Sequence, residues 1–229
     1  MTAITSERSE TRGVNPAAVL TEAGATAFLL VAVVGSGIMA ERLCGGNVGL
    51  VLLANAIATG GALLALILAT GAQMNPVVTL AAAFSGALPA RAVPAYFIAQ
   101  FAGAILGVWI AHAMFEVPVF QFSHHARTGA GLWTGEIVAT FGLLMTIWGC
   151  KARNEASTAA AVAAYITGAY WFTSSTSFAN PAVTVARALS DTFAGIRPAD
   201  APAFIVAQLA GLALALACFR FLPKAEPAP

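Results

Sequence analysis

The chain has 229 residues, 59% of them hydrophobic and only 9% charged, with a formal net charge of +1. Soluble domains carry roughly 25% charged and 45–50% apolar residues, so the composition excludes a soluble fold and indicates an integral membrane protein. The near-zero charge gives no basic surface for nucleic acid, and the length leaves no room for a separate soluble domain.

A spanning helix needs about 20 apolar residues. After a polar tail over residues 1–17, six such stretches are predicted near 18–40, 48–70, 92–114, 132–150, 157–175 and 201–222, with a short tail over 223–229. The opening MTAITSERSETRGVNPAAVL lacks the basic-then-apolar order of a cleaved signal peptide, so the first span is expected to serve as an uncleaved insertion signal. That span opens with TEAGATAFLL (21–30), which places Glu22 in the membrane, and the second span carries Asn55 and Thr59 one helical turn apart. NPVVTLAAAF (75–84) follows, then the third span with AQFAGAILG (99–107). The connecting stretch FSHHARTG holds His124 and His125, a pair without carboxylate or Cys neighbours that reads as a solvated loop. The fourth span opens with GEIVATFGLL (135–144), which carries Glu136. After the fifth come NPAVTVARAL (180–189) and the sixth span, with AQLAGLALA (207–215). Cys44, Cys150 and Cys218 are far apart and lack a CxxC, so they read as small apolar residues rather than a disulfide framework or a zinc site. No metal or cofactor is expected. Trp109, Trp133, Trp148 and Trp171 lie in or near span ends and are expected to anchor at the interface.

The two halves match in order. Aligning Glu22 with Glu136 brings Thr26 onto Thr140, the Asn-Pro segments correspond, and so do the AQ..AG segments. Such an internal repeat has to be recognised before any fold is assigned. Three spans per half is an odd number, so the second copy enters the membrane from the opposite side, as an inverted-topology repeat. The repeats run over about 18–114 and 132–222. With both termini inside, the cytoplasmic stretches hold Arg8, Arg12, Arg91, Lys151, Arg153, Arg220 and Lys224, against Arg42, Arg127, Arg187 and Arg197 outside. This excess agrees with the positive-inside rule.

Each Asn-Pro segment is a helix start with an apolar run of about ten residues, roughly 15 Å at 1.5 Å per residue, or half a hydrocarbon core. Non-helical backbone at membrane depth is tolerated only where protein buries it or water lines it. Two half-helices from opposite faces can therefore meet at the midplane. Pro76 and Pro181 suit the first turn, and Asn75 and Asn180 are good N-caps. The two Asn would sit together at the positive ends of two helix dipoles, with amide NH₂ groups pointing outward and no acceptor beside them. A water or hydroxylated solute passing there must accept through its oxygen, which interrupts proton hopping, and the positive ends repel cations.

The six spans, the paired Asn-Pro motifs, Glu22 and Glu136, and the AQ..AG repeats together resemble the aquaporin (major intrinsic protein) family over about residues 18–222. The resemblance implies an all-α membrane protein of six transmembrane helices plus two re-entrant half-helices. It also implies a homotetramer with a pore in each protomer, set in the inner (plasma) membrane with both termini cytoplasmic. Asn75, Pro76, Val77, Asn180, Pro181 and Ala182 match the family's Asn-Pro-Ala motifs, with Val77 departing from Ala. Glu22 and Glu136 are, by the same resemblance, loop-stabilising acceptors; an intramembrane carboxylate otherwise reads as a proton or ion site.

Selectivity in the family is set near the outer mouth. The usual Arg position is Val183 here, and spacing puts Gly168 where water channels have His, with Ser177 as a third position. The fourth is Asn55 by ungapped counting, or Thr59 if the preceding stretch is one turn short; sharing a helix face, both can line the pore. Gly168 and Val183 predict a wide aperture of mixed polarity. Arg187, one turn past Val183, either reaches back over it or attracts anions, or else snorkels or pairs with Asp191. Gln73 stands where His is common, at the cytoplasmic entrance. The expected function is a passive, non-enzymatic channel for small neutral solutes: water, glycerol-like polyols, and arsenous acid or methylated arsenicals, since some arsenical channels share a similar SFANPAVT.AR segment. The alternatives are a water-selective aquaporin and an alternating-access secondary transporter.

Overall fold

A computed structural model describes residues 14–150 and 153–221. The tail charges Arg8, Arg12 and Lys224, and Lys151, lie outside the described residues. Within them stand α1 (Pro16–Leu43), α2 (Val48–Thr70), α3 (Pro76–Phe84), α4 (Val93–Met114), α5 (Ala130–Cys150), α6 (Glu155–Phe172), α7 (Pro181–Arg187) and α8 (Ala201–Phe219). A 3-10 turn, Ala90–Ala92, leads into α4. Asparagine begins most of these elements: Asn15, Asn47, Asn75, Asn154 and Asn180 each accept a first-turn backbone N–H through the side chain. Asn-Pro therefore marks a helix start in general, as at Asn15-Pro16. It is the shortness of α3 and α7, 9 and 7 residues, that sets those two apart.

Among the described residues, five helices are long and apolar enough to cross a membrane: α1, α2, α4 with its leading turn, α5 and α8. The sixth, α6, has 18 residues and a lower hydropathy than the other five. It ends at Phe172, short of the predicted 175, because the chain leaves the helix there to reach α7. Thr176, Ser177 and Ala179 in that approach have φ of 62°, 51° and 48°, which no helix accommodates.

Packing follows the repeat. α1 lies on α2 and α4, α5 lies on α6 and α8 in the same way, and α2 meets α6 across the middle. Each half-helix also touches the last span of the other half, α7 on α4 and α3 on α8. One face of the molecule, the loop face, carries the α1–α2, α4–α5 and α7–α8 connections. They are tied together where Arg42 donates to the Phe115 carbonyl (2.5 Å) and Phe193 N–H to the Glu41 carboxylate (3.0 Å). The α2–α3 and α5–α6 connections lie on the opposite face.

Without a hydrophobic drive between helices in lipid, close approach over small residues holds such a bundle together. A Cβ at Gly103 would run into the Ala23 carbonyl, and one at Gly107 into that of Ala27. In the second half a Cβ at Gly211 would likewise crowd the Ile137 carbonyl, though less tightly. Gly103 and Gly211 are equivalent in the AQ..AG repeats, and Ala23 and Ile137 each follow the repeat's Glu, so one backbone contact is built twice. Gly103→Val should push α1 and α4 apart and lower stability by about 1–3 kcal/mol. Thermal unfolding in detergent checks this; an unchanged midpoint would mean that the two helices do not need so close a contact.

Candidate functional site

α3 and α7 enter from opposite faces and meet head to head. Asn75 Oδ1 accepts from Val77 N–H (3.1 Å), and Asn180 Oδ1 from Ala182 N–H (3.0 Å) and Val183 N–H (3.3 Å). Asn75 Nδ2 donates to the Ala179 carbonyl and Asn180 Nδ2 to the Met74 carbonyl, each at 2.8 Å. The two heads are thus tied across the repeat. This corrects the expectation of amides with no acceptor beside them: one proton of each is taken, and one N–H per amide remains. The reason is the left-handed backbone at Met74 (φ 52°) and Ala179 (φ 48°), which turns the carbonyl before each Asn toward the opposite head.

The extended residues before each head are held by a buried carboxylate. Glu22 accepts from Gln73 N–H (2.6 Å), Met74 N–H (2.8 Å) and Gln100 Nε2 (2.8 Å). Glu136 accepts from Phe178 N–H (2.8 Å), Ala179 N–H (2.8 Å) and Gln208 Nε2 (2.6 Å). Each carboxyl group thus gathers two backbone N–H groups and one glutamine N–H from its own half. Gln100 and Gln208 also donate to Thr79 and Thr184 (2.9 Å each); the Thr184 hydroxyl donates back to the Asn180 carbonyl (2.8 Å), and the single Thr79 proton lies between Gln73 Oε1 (2.7 Å) and the Asn75 carbonyl (3.1 Å). The two glutamines were visible in the AQ..AG repeats without a role; their pairing with Glu22 and Glu136 supplies it.

A cavity of about 400 Å³ passes both Asn heads. Its lining reaches from Ser85, Arg153 and Glu155 on the α5–α6 side to Thr59, Tyr170, Ser177, Val183 and Arg187 toward the loop face. Thr158, Val162, Ile166 and Tyr170 on α6, and Thr59, Leu63 and Ile67 on α2, line it at four-residue intervals, one stripe per helix. Two expected positions are corrected here. Gly168 lies two residues off the α6 stripe, and a Cβ there would face Phe172; Tyr170 lines the cavity instead. Asn55 continues the α2 stripe, but its amide is bound to the Val33 carbonyl (2.7 Å) and Ser36 Oγ (2.8 Å), and only Thr59 reaches the cavity. Thr59 Oγ1 and Tyr170 OH are 3.1 Å apart.

Arg187 is 2% exposed and lines the same cavity. Its Nε donates to the Ala194 carbonyl, and its guanidinium carbon stands 3.4 Å over the Phe178 ring. It neither snorkels nor pairs with Asp191. That carboxylate belongs to His124, accepting from its backbone N–H (2.8 Å) and lying 3.0 Å from its ring Nδ1. The His124–His125 loop therefore does have a carboxylate neighbour, brought in from 67 residues along the chain. The His124 backbone and ring hold Asp191 below the ordinary carboxyl value. This anchor contributes above that value and is lost only as pH falls below 3.8. His112 fixes the same segment from beneath, through Ser190 Oγ (2.9 Å) and the Val119 carbonyl (3.0 Å). Among the tryptophans, Trp133 and Trp171 are exposed, whereas Trp148 is buried in the cavity wall against Phe219 and is no interfacial anchor.

Glu136→Gln would turn an amide N–H toward donors that now share a carboxylate. Each buried N–H left unsatisfied costs about 1–3 kcal/mol. The variant should therefore unfold at a lower temperature in detergent, and an unchanged midpoint would refute the carboxylate's role in holding the approach to α7.

The family model described as major intrinsic protein matches residues 11–176. The chain is 49% identical over 205 residues to aquaglyceroporin AqpS of Rhizobium meliloti (strain 1021), covering 88% of each chain. It is 39% identical over 89 residues to aquaporin NIP1-1 of Zea mays, covering 38% of this chain and 32% of that one. In structure it is similar to the aquaglyceroporin from Plasmodium falciparum, with a TM-score of 0.66 and 19% identity over 89% of this chain and 93% of that one; this supports the fold alone. With its all-helical bundle and paired half-helices, the chain belongs to the major intrinsic protein family: it is a multi-pass membrane channel and not an enzyme.

Proposed function

We propose that the protein is a passive conduit for small uncharged solutes, water and glycerol-like polyols, with arsenous acid or methylated arsenicals within its range. The observation that carries this is the cavity that runs past both Asn heads. There each amide has one N–H left for a passing oxygen, and the flanking walls are aliphatic: Val33, Leu63, Val78, Val162 and Ile166. A polyol presents both surfaces, hydroxyls for the amides and carbon for the aliphatic side. Arg153 and Glu155 stand at one mouth; Thr59, Ser177, Val183 and Arg187 form the selective stretch at the other. The relative named an aquaglyceroporin supports the polyol reading. In this reading residues 18–222 form the channel between two tails, the protein is a homotetramer in the plasma membrane, and both termini are cytoplasmic.

The water-selective reading is favoured by one observation. Tyr170 and Arg187 both enter the lining, so the aperture is narrower than a Gly168–Val183 pair alone would leave it. Stopped-flow light scattering on proteoliposomes, with water, glycerol and arsenous acid in parallel, separates the two. Glycerol flux well above protein-free vesicles is expected; water flux without it would establish the narrower filter. Val183→Arg should reduce glycerol flux about tenfold while water still passes, since overfilling a packed lumen costs about 1–3 kcal/mol and 1.4 kcal/mol is tenfold. Equal glycerol flux in the variant would remove Val183 from the selective stretch.

A further inference from the structure

We propose that Arg187, Ser177 and the Thr59–Tyr170 hydroxyl pair form a binding subsite for a small carboxylate or similar monovalent oxyanion within the conduit. This rests on reading the cavity as the conduit, and goes beyond the neutral solutes proposed for it. Arg187 is almost fully buried, and among the described residues no carboxylate lies within ion-pair distance of it. A guanidinium carries five N–H donors in a rigid fork. Its Nε is taken by the Ala194 carbonyl, and the Phe178 ring covers its carbon. The buried carboxylate of the same half, Glu136, is already shared among three N–H donors.

The neighbouring lining is equally rich in donors. Ser177 is 3% exposed, lines the cavity, and its Oγ has no hydrogen-bond partner among the described residues. Whichever of Thr59 and Tyr170 donates to the other, the second keeps its own O–H free of that bond. A second guanidinium, Arg127, stands 5.3 Å from the centre of the same ring, held by the Gly195 and Phe193 carbonyls. A buried cation beside unassigned O–H donors matches a ligand that is all acceptor. A carboxylate is such a ligand, and a guanidinium meets it through two parallel N–H···O bonds. A polyol brings as many donors as acceptors, and its own hydroxyl protons find no carboxylate in this stretch.

The full-length protein in proteoliposomes at pH 7.5 tests this, with acetate or acetamide of equal size and concentration on both sides. Acetate should slow glycerol flux and neutral acetamide should not. Saturation-transfer NMR with acetate and the purified protein in detergent reads binding without any flux. Arg187→Gln should weaken acetate about tenfold or more in both measurements, the usual worth of hydrogen bonds to a charged group. Arg187→Lys, which keeps the charge and loses the fork, should fall between. Ser177→Ala, which leaves α7 untouched, should weaken acetate several-fold and guards against a misfolded Arg187 variant. Acetate binding that survives Arg187→Gln in folded protein, or equal effects of acetate and acetamide, would overturn the subsite. Absence of glycerol flux in the wild type would instead overturn the polyol part of the proposed function, and saturation transfer would still decide the subsite.

Discussion

Backbone that leaves the helix halfway through a membrane exposes N–H groups that lipid cannot accept. Everything at the centre of this protein answers that constraint. Gln73, Met74, Phe178 and Ala179 present their N–H groups in pairs, and each pair meets one carboxylate from the first helix of its own half. The carbonyls next to them meet the amide of the opposite Asn. A glutamine from the last helix of each half closes the ring around the carboxylate. With those groups satisfied internally, the half-helices can stop at the midplane, and a passage can exist where two continuous helices would have filled the space.

The scaffold is symmetric, and the wall it carries is not. Thr79 and Thr184 sit four residues after their Asn and do the same work. Val78 and Val183, three residues after, both line the cavity. Symmetry breaks at the next turn, where Ala82 in one half corresponds to Arg187 in the other. It breaks again two residues before the heads. Gln73 accepts a bond from Thr79 (2.7 Å), whereas Phe178 is the platform under a guanidinium. The inverted repeat therefore fixes the position of the passage, and a handful of departures from it give the loop-face half its polarity.

Arg187 shows how a charge can be supplied from a neighbouring turn. Val183 occupies the position nearest the Asn head. Arg187 still enters the lining from one turn further along α7, because Phe178 gives its plane a surface to rest on and Ala194 gives its Nε an acceptor. Ala194 is in turn held in a segment pinned by His112 and by the His124–Asp191 pair. The character of the aperture is thus a property of three loops packed together.

The sequence by itself determined the class of molecule and its internal symmetry. Membrane residence follows from composition. Six helical stretches follow from apolar length, and the half-helices follow from Asn-Pro before runs too short to span. These are local properties, written in consecutive residues and doubled by the repeat. The tertiary structure alone decided which side chains face the passage. Gly168 and Tyr170 are two residues apart, and only the rotation of α6 against α2 selects Tyr170. Asn55 and Thr59 share a helix face, and only the approach of Val33 and Ser36 withdraws the first. Arg187 could have gone to Asp191 until the 120s loop brought His124 there first. Each of these outcomes depends on partners from distant segments, and spacing along one chain carries no record of which distant group arrives.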